Sequence, residues 1–423
     1  MGLQILALAC LVGAIVLGFV RKTNVGLVCL GLSLVLGTIG GMSAGDIYKG
    51  FPYKLFATLL GTMLFFSLIQ ENGTLTQVSR KMTKICGKNT FLVPVIIYAV
   101  SFLLSAAGPG AISVQTVMVL FAVPLGINMG INPVLMGVMA ILGAVGGTAS
   151  PIALTGIIVS DLLAEMNMSI QPSKVFIGVM VNNLLCAVFV YVAYRGWKIH
   201  GTGTVVQGES AAMEKDEKLT GNQKISLAAM AVLVISVVGF SKDIGLICFT
   251  LSLILILLRA GDEKKAVKMI PWNTLILICG VNVLMNIAKT MGGIDLLSDC
   301  LASFMTKLTA APLIGLTGGI MSWFSSANGV VFPTLIPTVG DIAAQVGGAS
   351  AVQMVAAIVC SATVAGISPM STGGSLVLAS YAQEKDCDEK EQQKIFVQLF
   401  GISGFCVSLV FITTLVGLLA FLG

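Results

Sequence analysis

Of 423 residues, 56% are hydrophobic and only 10% are charged, with 48 glycines and a formal net charge of +5, and the mean hydropathy is +0.99. A soluble domain carries roughly a quarter charged residues, so a soluble enzyme or a nucleic-acid-binding domain is excluded, and the basic residues lie in short loops beside apolar runs, as in a multi-pass membrane protein. Ten cysteines without CxxC or Cys/His spacing and a single histidine, His200, offer no metal-site pattern.

Runs approaching the roughly 20 apolar residues that cross a bilayer recur along the chain. The first, Leu3 to Val20, has no basic segment before it and no small-residue cleavage site after it, which predicts a retained helix. Helices follow at 24–42 and 54–70, the latter begun by Pro52, a residue suited to a first turn. Residues 73–88 alternate Arg80, Lys81, Lys84 and Lys88 with Leu75, Val78, Met82 and Ile85, the spacing of a helix lying on a membrane surface. Asn89 to Ser160 contains no charge. It divides into a helical hairpin, 90–105 and 110–127, and a broken helix, 131–146 and 151–163, followed by a helix at 174–195.

The mixed-charge segment 201–222 predicts a flexible cytoplasmic linker between a first repeat, 1–200, and a second, 223–423. The second repeat runs through helices at 223–240, 243–259 and 272–289, a surface segment at 293–308, a hairpin at 311–345, a broken helix at 352–382 and a last helix at 395–422. The hairpin tips, around Ser105 and Ser325, are 220 residues apart, and the breaks, at Ser150 and Ser368, are 218 apart. Pro52 with Pro271, Gly61 with Gly280, Gly73 with Gly293 and Gly156 with Gly374 keep a similar period. The predicted fold is therefore an all-α polytopic membrane protein, an inverted repeat with two re-entrant hairpins, two broken helices and about 10 spanning helices.

Each half crosses the membrane an odd number of times, which inverts the second half relative to the first. On this topology 18 Lys and Arg fall on the side of Arg21, Arg80 and Arg259 and 6 on the other. The positive-inside rule makes the richer side cytoplasmic and places both termini outside; the expected location is the inner (plasma) membrane. One hairpin then enters from each side, the geometry of alternating access.

Ser150–Pro151 and Ser368–Pro369 read as N-caps with proline at the first helical position. The tips free backbone groups that hydrocarbon cannot satisfy, so they face protein or a wet cavity. Candidate substrate-binding residues are Ser105, Gly108, Pro109, Gly110, Ser325, Ser326, Asn328, Gly329, Thr155 and Thr372, and candidate cation-binding residues are Ser105, Gly108, Thr148, Ser150, Asn328 and Ser368. Between Leu308 and Gln383 the only charge is Asp341. A proton relay ordinarily uses buried carboxylates or histidines, and an anionic substrate here meets no Arg or Lys. Helix dipoles and a co-bound cation must supply positive charge, which favours sodium over protons as the coupling ion, with no other cofactor. For Gln115, Ser113, Thr116 or Ser361 taken singly, helix packing is the simpler account.

The runs Gly50–Phe51–Pro52 through Asn72–Gly73–Thr74, the tip Gly108–Pro109–Gly110–Ala111, and Gly146–Gly147 through Ser150–Pro151–Ile152 resemble the malonate-carrier type of dicarboxylate permease. That family lies in the ion-transporter superfamily, with divalent-anion/sodium symporters as relatives, and the likeness covers about residues 1–165. It implies a homodimeric elevator transporter of a small dicarboxylate such as malonate, succinate or malate. The symporters' Ser-Asn-Thr signature is absent from both tips, which read Ser105–Ala106–Ala107 and Ser326–Ala327–Asn328. A carrier of another organic anion such as citrate, or the membrane subunit of a binding-protein-dependent carboxylate transporter, fits the same architecture. A membrane hydrolase needs a nucleophile with a base or a metal, and no such constellation stands in the apolar segments; a channel is the remaining alternative class.

Overall fold

A computed structural model describes residues 2–21, 23–74, 77, 90–166, 168, 170–199, 219–236, 243–384 and 389–422. The basic surface segment over 75–88 and most of the 201–222 linker lie outside the described residues. The chain is an all-helical polytopic membrane protein without strands among the described residues. Among the described residues six helical segments are long and apolar enough to cross a membrane, one of them, Ala351–Ala382, running through the second break, and six further apolar helices are shorter.

In the first half the order is α1 (Gly2–Arg21), α2 (Val25–Ile39), α3 (Ala44–Lys49), α4 (Tyr53–Glu71), α5 (Val93–Ala106), α6 (Gly110–Asn128), α7 (Pro133–Gly147), α8 (Leu154–Glu165) and α9 (Pro172–Ala193). The second half follows the same plan: α10 (Gly221–Val234), α11 (Ile244–Leu257), α12 (Glu263–Met269), α13 (Trp272–Thr290), α14 (Gly293–Ala302), α15 (Ala310–Phe324), α16 (Phe332–Leu335), α17 (Val339–Gln345), α18 (Ala351–Val364), α19 (Thr372–Glu384) and α20 (Glu389–Leu415). The short amphipathic helices α3 and α12 were not foreseen from the sequence. Each begins at a side-chain cap, Ser43 accepting from the Asp46 amide and Asp262 accepting from the Lys265 amide, 219 positions apart.

Crosswise packing joins the halves. α2 packs on α13, and α11, the counterpart of α2, packs on α4, the counterpart of α13. The crossings are made by glycines: a Cβ on Gly280 would stand 2.1 Å from the Gly26 carbonyl oxygen, and one on Gly61 would stand 2.5 Å from that of Gly245. Gly26 and Gly245, like Gly61 and Gly280, are 219 apart. Backbone contact this close leaves no room for a side chain, so the same device fixes both crossings. A mapping that sends each crossing onto the other is a pseudo-two-fold. Gly73 corresponds to Gly292 rather than Gly293: both end a helix in the left-handed region, at φ +75° and +73°.

Asn72 knots the halves together beside this frame. Its Nδ2 donates to Ser226 Oγ (2.7 Å) and to the Ala260 carbonyl (2.8 Å), and its Oδ1 accepts from the Thr74 amide (3.1 Å). The Asn72–Gly73–Thr74 run is thus a structural clasp. Glu71, one residue earlier, accepts from the Asp262 amide (3.0 Å) and pairs with Lys265 (3.3 Å).

The other helices form a body around the broken pair. α5 packs along α7 and α15 along α18, again as counterparts. In the first pair the glycines are on the broken helix, Gly143 and Gly147 lying against the Tyr98 and Phe102 carbonyls; in the second they are on the hairpin arm, Gly315 and Gly319 facing Ala357 and Ser361. α9 packs on both α7 and α18.

Candidate functional site

The first hairpin turns between α5 and α6 at Ala107–Pro109. Gly108 has φ +133° and Gly110 φ +77°, values that a side chain disfavours, and a Cβ on Gly108 would lie 2.3 Å from the Phe66 ring. The second tip has no left-handed residue; α15 stops at Phe324, Ser325 is extended, and Ser326 Oγ accepts from the Gly329 amide (3.2 Å) at the start of a π-turn over Ala327–Val331. The second arm is a succession of short turns through Gln345. Pro333 and Pro337 cannot donate to a continuous α-helical ladder.

The breaks differ from the expected N-caps in both halves by the same amount. α8 starts at Leu154 and α19 at Thr372, four residues after Ser150 and Ser368 respectively. Each serine instead opens a turn: the Ala153 amide donates to the Ser150 carbonyl (2.9 Å), and the Ser371 amide to that of Ser368 (2.9 Å). The reason is a close approach of backbone to backbone. The Ser150 carbonyl oxygen occupies the place of a Cβ on Gly156, at 1.9 Å, and the Ser368 oxygen that of one on Gly374, at 2.3 Å. The non-helical stretch is therefore longer than Ser-Pro capping allows, and more backbone groups are released into it.

All four interruptions meet around one cavity of about 280 Å³. Among its walls are Ala111 from the first hairpin, Thr148 and Thr155 from the first break, Ser325, Ser326 and Asn328 from the second tip, and Thr363, Ser371 and Thr372 from the second break. A hydrogen-bonded chain ties three of these pieces together. The Ala111 amide donates to Thr148 Oγ1 (3.2 Å), Thr148 Oγ1 meets Thr155 Oγ1 (3.2 Å), and Thr155 Oγ1 donates to Asn328 Oδ1 (2.9 Å). The Asn328 Nδ2 is left as a donor at the wall. No lining residue is ionisable, so the cavity offers hydroxyls, carboxamides and helix ends but no fixed charge.

Of the candidate residues, Thr148, Thr155, Ser325, Ser326, Asn328 and Thr372 line this one cavity. Gly108 and Pro109 line instead a small crevice of about 20 Å³ with Phe66 and Pro271, Gly110 packs on Leu154, and Gly329 on Leu277. Ser150 and Ser368 are buried in the turns, where Ser368 Oγ accepts from the Met370 amide (3.3 Å). Ser105 lies at the end of α5, fully buried, and its hydroxyl has no hydrogen-bond partner among the described residues.

Ser322, Trp323 and Gln115 also face the cavity and were not singled out as site residues. Trp323 Nε1 donates to Ser403 Oγ (3.0 Å), which donates to the Ala365 carbonyl (3.1 Å), so these position the second break against α20. Their order along an apolar helix carries no signal beyond the presence of a polar residue near a tip.

A larger cavity, about 520 Å³, lies elsewhere, between α4, α8, α13 and the second hairpin. Its charges are opposed: Lys49, Lys54 and Lys289 face Asp161 and Glu165, and Lys49 is bonded to Asp46 (2.7 Å), whose carboxyl that lysine holds down to about 2. Asp161 and Glu165 occupy the last turns of α8, on the wall of this cavity. Unlike the smaller cavity, it is lined by charged side chains of both signs.

No curated protein matches the chain. The sequence model of the citrate transporter family (CitMHS) matches residues 9–332, about three quarters of the length and as far as the residues just past the second hairpin tip. The chain belongs to that family.

Proposed function

Starting from membership in this carboxylate-transporting family, we propose that the protein is a cation-coupled secondary transporter of a small polycarboxylate, binding it in the uncharged cavity where the four interruptions meet. Citrate and C3–C4 dicarboxylates of the malonate, succinate or malate type are the substrates in view; the family match speaks for citrate and the resemblance of the first 165 residues for a dicarboxylate.

One observation carries the proposal: a cavity walled by both hairpin tips and both breaks, with no ionisable lining residue. Carboxylates need donors, and the carboxamide of Asn328, the hydroxyl of Thr372 and the amino-terminal ends of α8 and α19 supply them. Such dipoles contribute about 0.3–1 kcal/mol each when exposed and up to about 2 when partly buried, whereas an unpaired buried ion costs several kcal/mol. A co-bound cation closes that gap. Sodium suits oxygen-only surroundings, and the orphaned Ser105 hydroxyl beside Gly147, with Thr148 and the carbonyls of the first break, is the place proposed for it.

The repeat period, the crosswise frame and the 18 to 6 division of basic residues support an inverted topology with termini outside and the 201–222 linker in the cytoplasm of an inner-membrane protein. The elevator motion and the homodimer follow from the resemblance. The test is uptake of labelled malonate, succinate, malate and citrate by proteoliposomes under imposed sodium or proton gradients. Accumulation of one of them driven by sodium is the expected result; uptake of none under either gradient overturns the proposal.

A further inference from the structure

We propose that Gln115 reads the substrate, its carboxamide donating to one carboxylate of the transported anion while that of Asn328 serves another; this rests on the carboxylate-transporter function proposed above. Gln115 stands on the second turn of α6 and lines the 280 Å³ cavity. It is only 4% exposed, yet it makes no hydrogen bond to another described residue. Buried side-chain amides are nearly always paired with protein or water, because leaving one unpaired forfeits its solvation. A glutamine retained in such a place has its partner in the cavity.

The repeat supplies an independent comparison. The corresponding turn of the second hairpin is Pro333–Thr334–Leu335, where the Thr334 hydroxyl donates to the Val330 carbonyl (2.7 Å) and no carboxamide is present. The hairpin architecture therefore does not require an amide at this turn. The Asn328 orientation is set by Thr155, which donates to its Oδ1, so its Nδ2 is a donor. Two neutral amides on one cavity, contributed by the two hairpins, suit a molecule bearing two or more carboxylates, and being neutral they hold it without the trap that a lysine or arginine would make.

The test uses full-length protein in nanodiscs and proteoliposomes, comparing wild type with Gln115→Met, Gln115→Asn and Gln115→Leu. Thermal unfolding is measured with and without citrate, malate, succinate and malonate, and uptake kinetics with the one that wild type carries. If the amide serves the substrate, Q115M without ligand unfolds near the wild-type temperature, because the amide faces the cavity and no hydrogen bond to another described residue is lost. Its KM rises about tenfold or more, about the low end of one hydrogen bond to a charged group, its ligand-induced thermal shift shrinks to match, and Q115N, which keeps the amide, loses less. Lower stability in both Q115M and Q115L with KM unchanged would mean that Gln115 packs the hairpin, and unaltered KM at unaltered stability would equally overturn the proposal. A wild-type protein that neither shifts nor transports with any of the carboxylates overturns the substrate class, and this inference with it. A responsive wild type beside an equally responsive Q115M overturns the role of Gln115 alone.

Discussion

The two hairpin tips occupy equivalent places in a duplicated chain and are built by different means. The first relies on backbone: two left-handed glycines, Gly108 and Gly110, bring a tight turn against Phe66, and its polar contribution to the cavity is an amide, that of Ala111, donating to Thr148. The second relies on side chains: Ser326 caps the turn and Asn328 reaches across to Thr155 of the first half. Duplication supplied two interrupted elements, and divergence gave one the shape and the other most of the donors.

Changes at the two tips are expected to separate along this line. The largest effect belongs to Asn328→Leu, which removes a wall donor and the acceptor of the Thr155 hydroxyl; uptake in proteoliposomes should fall by about a hundredfold, the loss of one hydrogen bond to a charged group at about 1.5–3 kcal/mol and one neutral bond at about 1 kcal/mol, with the protein still folded by size-exclusion chromatography. At the first tip Gly108→Ala should act through stability instead. Forcing a Cβ into φ +133° against Phe66 costs about 1–3 kcal/mol, read as a lowered unfolding temperature, whereas Gly329→Ala carries no left-handed strain, meets the Leu277 side chain and, at 3.4 Å, Ser326 Oγ, and should cost less. Thr155→Val, which breaks the link between the halves but keeps the shape, should reduce substrate affinity about fivefold to tenfold, roughly one neutral hydrogen bond. The smallest perturbation addresses the inversion itself. Cysteines at Lys49 and Lys268, 219 apart on α3 and α12, in a background with the exposed Cys300 changed to serine, should react with an impermeant reagent from outside and from the cytoplasm respectively. Labelling of both from one side would break the inverted arrangement.

Much of the fold was written in punctuation. Helices, hairpins and breaks could be placed because glycine, serine and proline interrupt otherwise apolar runs, and the repeat because Pro52/Pro271 and Gly61/Gly280 recur at one period. What escaped depended on contacts between segments. The partner of Gly61 proved to be Gly245 rather than its own counterpart, because crosswise packing cannot be seen in a period. The Ser-Pro pairs suggested caps, but Gly156 and Gly374 draw the serine carbonyls into the following helices and delay the helix starts. α3 and α12 are six and seven residues long, too short to show a helical period. Gln115 was indistinguishable from a packing residue until a cavity stood beside it.

The central claim is that an uncharged cavity holds a polycarboxylate with the help of a bound cation. Titrating substrate into purified full-length protein at low and high sodium, and at several pH values, tests it most directly. Binding must be reciprocal, so substrate affinity should tighten as sodium rises and sodium affinity should tighten with substrate, at constant pH. Affinity that ignores sodium and rises as pH falls would contradict the account and assign the coupling to protons or to a more protonated form of the substrate.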